Sequence, residues 1–176
     1  LSILSGGVYD ITVKPLTDAW GFARREEQSA RPNIDSLLSF VGYEKIAIAD
    51  GRIVKSDPRT ELDLNSIAKG YTVDMLSAEL EALGISDYMV NIGGEIRCRG
   101  LNPRGEKWSI GIETPYDGNY ASDAIEKIIE VSDCAVATSG NYRRFYRTGD
   151  GRKVTHTHNP HTGESVVSDL LSVTVI

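Results

Sequence analysis

Residues 63–100 read DLNSIAKGYTVDMLSAELEALGISDYMVNIGGEIRCRG, and the fold class turns on them. From Ser66 to Leu83 the apolar residues Ile67, Tyr71, Leu76, Leu80 and Leu83 keep helical spacing. That spacing predicts a helix, and Gly84 stops it, because glycine takes the left-handed conformation that closes a helix at no steric cost. The pattern then changes. Residues 87–100 read as a strand, a Gly93-Gly94 kink and a second strand. The expected role of the glycine pair is a β-bulge, with close approach of a ligand to the backbone as the alternative.

Working outward, Ile34, Leu37, Leu38 and Val41 fall at helical spacing, with Gly42 as the stop. Residues 45–55, KIAIADGRIVK, predict a hairpin about Asp50-Gly51, since both turn positions need positive φ. Residues 61–66, ELDLNS, are expected to start as a short strand leading into the long helix. Residues 108–113, WSIGIE, alternate as a half-buried strand does. Residues 134–140, 143–158 and 170–176 are strand-like, the second carrying a Gly-Asp-Gly turn. Residues 21–33 are polar and charged, as a surface loop is. Strands dominate, and the two expected helices do not alternate with them as in a doubly wound sheet. The expected class is therefore α+β, mostly antiparallel sheets with a few helices, in a single domain over residues 1–176.

Composition bounds the function. The 176 residues are 40% hydrophobic and 25% charged, values of a globular domain. The net charge of −6 disfavours nucleic acid as a partner, and leaves a polyanionic substrate in need of a cation or backbone donors. No stretch approaches the ~20 apolar residues of a membrane span. The opening LSILSGGVYD has neither the basic start nor the cleavage site of a signal peptide. The first residue is not Met and the last, Ile176, stops inside an apolar run, so the chain is expected to be truncated at both ends. Cys98 and Cys134 lack CxxC spacing and are expected to be two half-buried free thiols.

The signals for chemistry are individually modest. Asp63, Asn65 and Ser66 stand at the start of the expected helix, where free N–H groups favour an anion; simple N-capping is the other reading. Lys69 lies one turn in, within reach of a phosphate or merely solvated. All three histidines, His156, His158 and His161, fall within six residues. On a strand His156 and His158 share a face, which allows a two-ligand zinc clasp. Pro160 turns the chain before His161, however, and no cysteine is near in sequence.

Five segments taken in order carry more weight: VYDITVKPLTDAWGF (8–22), DLNSIAKGYTVDML (63–76), YMVNIGGEIRCRG (88–100), AVATSGNYRRFY (135–146) and THTHNPHTG (155–163). Together they resemble the FAD:protein FMN transferases, the ApbE family, over nearly the whole chain. The resemblance implies an ApbE-like fold of T-fold type. FAD is then the substrate, with Mg²⁺ at its pyrophosphate. It implies FAD contacts at Val8, Tyr9, Asp10, Asp63, Lys69 and His158, with Thr138, Ser139 and Gly140 lining the same cleft, and Ser66 offering a backbone carbonyl to the metal. His156 matches the family's histidine and is the candidate general base; ordering of its loop is the alternative role. FMN would pass from FAD to a threonine hydroxyl of an acceptor flavoprotein, with release of AMP.

The chain departs from the family pattern in two ways. Asn159 stands where the family's block has Asp. The family's further metal ligands, Asp and Thr, follow the strand matched by SVTVI, where this chain stops. Hydrolysis of FAD to FMN and AMP, or FAD binding without catalysis, remain open alternatives. The family also implies a bacterial periplasmic or cell-envelope location, with membrane attachment only through an upstream lipid anchor.

Overall fold

The long helix stands where it was expected, but it buries Val73 and Ser77 while Ile67, Tyr71, Leu76 and Leu83 stay exposed. The computed structural model describes residues 1–22, 31–117 and 124–176. In chain order the elements are helices α1 (Lys14–Ala19) and α2 (Ile34–Leu38), strands β1 (Ile46–Ala49) and β2 (Arg52–Lys55), and helix α3 (Asn65–Ala82). Strands β3 (Tyr88–Ile92), β4 (Glu95–Arg99), β5 (Trp108–Glu113), β6 (Ile125–Val131), β7 (Cys134–Gly140), β8 (Phe145–Arg147), β9 (Lys153–Thr155) and β10 (Ser172–Val175) follow. Every ladder among them is antiparallel, as the α+β expectation required.

The chain divides into two compact units, Leu1–Leu64 with Arg144–Ser168, and Asn65–Arg143 with Asp169–Ile176. In the first, Pro15 sits in the opening turn of α1, where its fixed φ suits a helix start. Leu16 and Trp20, four residues apart and almost fully buried, join Phe22, Ile34, Val41, Tyr146 and Val154 in one core. Helix α2 is capped by the Asn33 side chain, which accepts from the Ser36 N–H at 3.4 Å. It was expected to reach Val41 but ends at Leu38. Phe40 and Val41 donate instead to Leu37 and Leu38, three residues back, so the tail tightens into 3₁₀-type turns. The β1–β2 hairpin turns at Asp50 (φ 51°) and Gly51 (φ 71°), as Asp-Gly predicts.

The second unit holds a four-stranded sheet in the order β10-β7-β4-β3 and a separate β5–β6 pair. Ile96, Ile110 and Val136 form its core, with Ile129, Val131 and Cys134 packed around them. Helix α3 lies on β3 and β4 and buries Val73 and Ser77. The Tyr88 hydroxyl donates to Glu81 at 2.6 Å, and Arg97 donates to Asp74 at 2.9 Å.

Three sequence expectations need correction. Gly93-Gly94 is not a bulge. Its φ values of 57° and 96° make it the two-residue turn of the β3–β4 hairpin, and Asn91 Oδ1 accepts from the Gly94 N–H at 3.0 Å. The strand expected over residues 61–66 has no ladder, because the Asp63 N–H donates to the carbonyl of Ile11, in a loop. Helix α1 and strand β6 were not foreseen. Residues 23–30, most of the expected loop at 21–33, lie outside the described residues.

Candidate functional site

The first unit gathers Val8, Tyr9, Asp10, Asp63 and the three histidines. Asp10 is buried and its carboxylate is engaged on both oxygens. Oδ1 accepts from the Thr12 N–H (2.8 Å) and hydroxyl (2.6 Å), and Oδ2 accepts from the Tyr43 N–H at 2.7 Å. The Gly42 N–H in turn donates to Thr12 Oγ1 at 2.7 Å. Asp10 and Thr12 thus clamp the 8–12 loop to the 42–43 turn. Val8 stands well exposed beside them, and the Tyr9 N–H donates to Ser5 Oγ at 2.9 Å. Asp63 is held by the Ile11 carbonyl at its N–H, and its Oδ2 accepts from Thr17 Oγ1 at 3.3 Å.

The histidines do not converge on one point. His156 follows β9, and its Nδ1 lies 3.2 Å from the Arg144 carbonyl. A carbonyl only accepts, so Nδ1 carries the proton and Nε2 holds the lone pair of the neutral ring. The edge of Phe22 faces the same imidazole, with ring centroids 6.3 Å apart. His161 points elsewhere: its Nε2 is 3.2 Å from the Gly6 carbonyl, and it packs where a side chain at Gly7 would sit.

His158 is the most unusual of the three. It is buried, stacked on Trp20 (6.3 Å between centroids, 12° between planes) and tilted against Phe22 at 5.8 Å. Among the described residues neither ring nitrogen has a hydrogen-bond partner. Burial pushes its pKa down to about 4; His156 pushes the same way, and the Asp63 carboxylate opposes them. A neutral imidazole with two unpaired nitrogens in an aromatic niche carries an unmet hydrogen-bonding demand, which a bound polar group would relieve.

The Asn159–Gly163 loop explains its own composition. Asn159 Oδ1 accepts from the His161 and Thr162 N–H groups at 2.9 and 3.3 Å, closing the turn after Pro160. An aspartate would offer the same acceptor, so Asn159 preserves what the turn needs. Gly163 has φ 68°, and a Cβ there would collide with Cγ2 of Ile34. Its carbonyl accepts from the Trp20 indole N–H at 2.9 Å.

The second unit carries Ser66, Lys69 and Thr138–Gly140. Ser66 is exposed in the first turn of α3, and Lys69 lies three residues on, on the same side of the helix. Lys69 Nζ pairs with the Glu95 carboxylate and donates to the Gly93 carbonyl at 3.3 Å. The β4–β7 register pairs Ile96 with Val136, so the start of β4 and the end of β7 share one end of the sheet. Gly93, Gly94 and Glu95 therefore lie at the same end as Thr138–Gly140. Thr138 and Thr174 share a hydroxyl hydrogen bond of 2.8 Å, and Tyr142 packs over the open Cα face of Gly140. Sequence reasoning passed over Glu95; an acidic residue directly after a Gly-Gly turn, with a lysine in the preceding helix, was its only local signal. Among the described residues no group of three His, Cys, Asp or Glu side chains is placed to hold a metal ion.

Comparison with known proteins gives one family throughout. A family model described as the ApbE family matches residues 1–176. A Vibrio cholerae protein named FAD:protein FMN transferase is 38% identical over 179 residues, a match covering 100% of this chain and 52% of that protein. An Escherichia coli protein of the same name is 32% identical over 97% of this chain and 49% of its own length. The apo crystal structure of the Pseudomonas stutzeri flavinyl transferase ApbE superposes with a TM-score of 0.82 at 35% identity, over 98% of this chain and 53% of that one. The chain thus spans about half the length of the curated relatives it matches.

Proposed function

This chain belongs to the ApbE family, and from that premise we propose that it carries flavin-site residues of a magnesium-dependent transferase. The reaction moves FMN from FAD to a threonine hydroxyl of an acceptor flavoprotein. The names of the relatives support flavin transfer from FAD to protein; the threonine and the magnesium rest on the family resemblance. The threonine oxygen attacks the FMN phosphorus, the pyrophosphate P–O bond breaks, AMP leaves with the bridging oxygen, and the hydroxyl proton passes to a base.

The observation that carries the proposal is the His156 imidazole. The Arg144 carbonyl fixes its tautomer, so Nε2 holds the lone pair a general base needs. His158, kept neutral by burial, can donate one hydrogen bond and accept another from the bound flavin. Asp63, Val8, Tyr9 and the Asp10 clamp shape the same side of the flavin site, Asp10 through the backbone it holds. For the second unit taken by itself, the family resemblance assigns Lys69, which pairs with Glu95, to a phosphate, and Thr138, Ser139 and Gly140 to flavin contacts.

Mg²⁺ prefers oxygen donors in octahedral geometry, often with phosphate among them. The described residues do not make such a cage alone, since the proposed Ser66 carbonyl is one donor and no acidic cluster accompanies it. The ion, when bound, would supply charge neutralisation at the pyrophosphate. We also propose a periplasmic or cell-envelope setting; no helix among the described residues is long and apolar enough to cross a membrane.

The test is flavin attachment to a threonine-bearing acceptor, with and without Mg²⁺, in the wild type and in His156→Ala. Loss of the base should lower the rate by about 10²–10⁴-fold while FAD affinity, read by flavin fluorescence, stays within a few-fold. A near-wild-type rate would reduce His156 to a loop-ordering residue. Release of free FMN in place of attachment would assign hydrolysis.

A further inference from the structure

The two cysteines stand 36 residues apart in sequence and face each other in the fold. Cys98 of β4 and Cys134 of β7 are direct partners in an antiparallel ladder, so their side chains project from the same face of the sheet. Directly opposed antiparallel residues have Cα atoms about 4.5–5.5 Å apart, inside the ~4.4–6.8 Å that a disulfide spans. Both are free thiols. Cys98 is buried, and its Sγ–H donates to the Cys134 carbonyl at 3.7 Å. Cys134 is only half-buried, which leaves it open to a small reagent.

We propose that Cys98 and Cys134 form a redox modification site, a dithiol that a low-molecular-weight disulfide converts to a cross-strand bond in the folded chain. The steps balance. The Cys134 thiolate attacks oxidised glutathione, forming a mixed disulfide and releasing one glutathione thiolate. The Cys98 thiolate then attacks the Cys134 sulfur, forming the Cys98–Cys134 bond and releasing the second. Both protons go to solvent; the protein dithiol loses two electrons and the glutathione disulfide gains them. Burial raises the Cys98 thiol above its ordinary pKa, and the hydrogen bond to the Cys134 carbonyl only partly offsets it. The second step is therefore the slow one and speeds up as pH rises.

The bond would staple β4 to β7 at the end of the ladder away from Gly93-Gly94 and Thr138–Gly140. Strands joined by a bond across directly paired residues are held under geometric constraint, so thiols should reverse it.

The experiment treats the folded protein with oxidised glutathione at pH 7 and pH 8.5, then quenches with acid and measures intact mass and denatured thiol content. The expected product is the monomer lighter by two hydrogens, with its two thiols reduced to none and no retained glutathione, formed faster at pH 8.5. The Cys98→Ala variant should instead accumulate the glutathione adduct on Cys134. If Cys98→Ala fails to fold, the wild-type masses still decide. Two persisting thiols, a stable adduct on the wild type, a disulfide-linked dimer, or bond formation only in denaturant would each overturn the proposal.

Discussion

Acidification should destabilise the first unit through His158, by an amount its surroundings define. The imidazole is buried against Trp20 and Phe22, both nitrogens lack a partner among the described residues, and its pKa is held down at about 4 against an ordinary 6.5. Between these values the unfolded chain binds more protons than the folded one. Stability therefore rises with pH across the window and is lost as pH falls from about 6.5 towards 4. At ~1.4 kcal/mol per tenfold change, the full displacement corresponds to about 3 kcal/mol. Linkage across the part of the window between pH 7.5 and pH 5 yields about 2 kcal/mol. His158→Phe keeps a flat ring on Trp20 and removes the titration. Thermal melts of both proteins at the two pH values supply the measurement. The wild type should lose about 2 kcal/mol more than the variant on acidification, roughly 4–8 °C in Tm for a chain of this size. An NMR titration of the ring reads the same pKa directly. Parallel pH dependence in the two proteins, or a ring titrating near 6.5, would refute the assignment.

Gly163→Ala should lower stability by about 2–4 kcal/mol, from the strained positive φ together with the collision with Ile34; a melting shift within 1 °C of wild type would contradict the packing described. Asn159→Ala removes the acceptor for two N–H groups and should cost about 1 kcal/mol, whereas Asn159→Asp should stay within about 0.5 kcal/mol of wild type. Denaturant titration of the two variants side by side separates these outcomes.

What could be read from the chain was local. The period of α3 and the Asp50-Gly51 turn need only neighbouring residues, and both stand where expected. Gly93-Gly94 was misjudged because a glycine pair suits a bulge and a primed turn equally well until the pairing on either side is known. Helix α1 is one and a half turns long, and its signal, Pro15 followed by Leu16 and Trp20 four apart, is too short to rise above its surroundings. Strand β6 has a largely exposed sequence, so its apolar residues do not alternate cleanly. The meeting of Cys98 with Cys134, and of Lys69 with Glu95, depends on ladder register and helix docking, which no local spacing encodes. The family was legible through the order of five modest motifs. The local roles of the residues in those motifs were not legible: Asp10, Asn159 and Gly163 shape backbone, His156 leans on the Arg144 carbonyl, and His158 is buried against Trp20.

Trp20 ties together distant stretches of chain. Its indole N–H reaches the Gly163 carbonyl, its own carbonyl accepts from Tyr146 at 3.1 Å, and its ring supports His158. All of these partners belong to the Arg144–Ser168 portion of the first unit, which emerges only after residues 65–143 have been made. At about 5–20 residues per second, those roughly 80 residues take about 4–16 s to synthesise. For that interval the core around Leu16 and Trp20 has Phe22, Ile34 and Val41 but still lacks Tyr146 and Val154. The second unit also waits, since β10 can pair with β7 only after residues 144–168 have been made. Neither unit can complete itself vectorially, so the newborn chain spends seconds with Trp20 lacking its Gly163, Tyr146 and His158 partners, open to whatever binding protein meets it first.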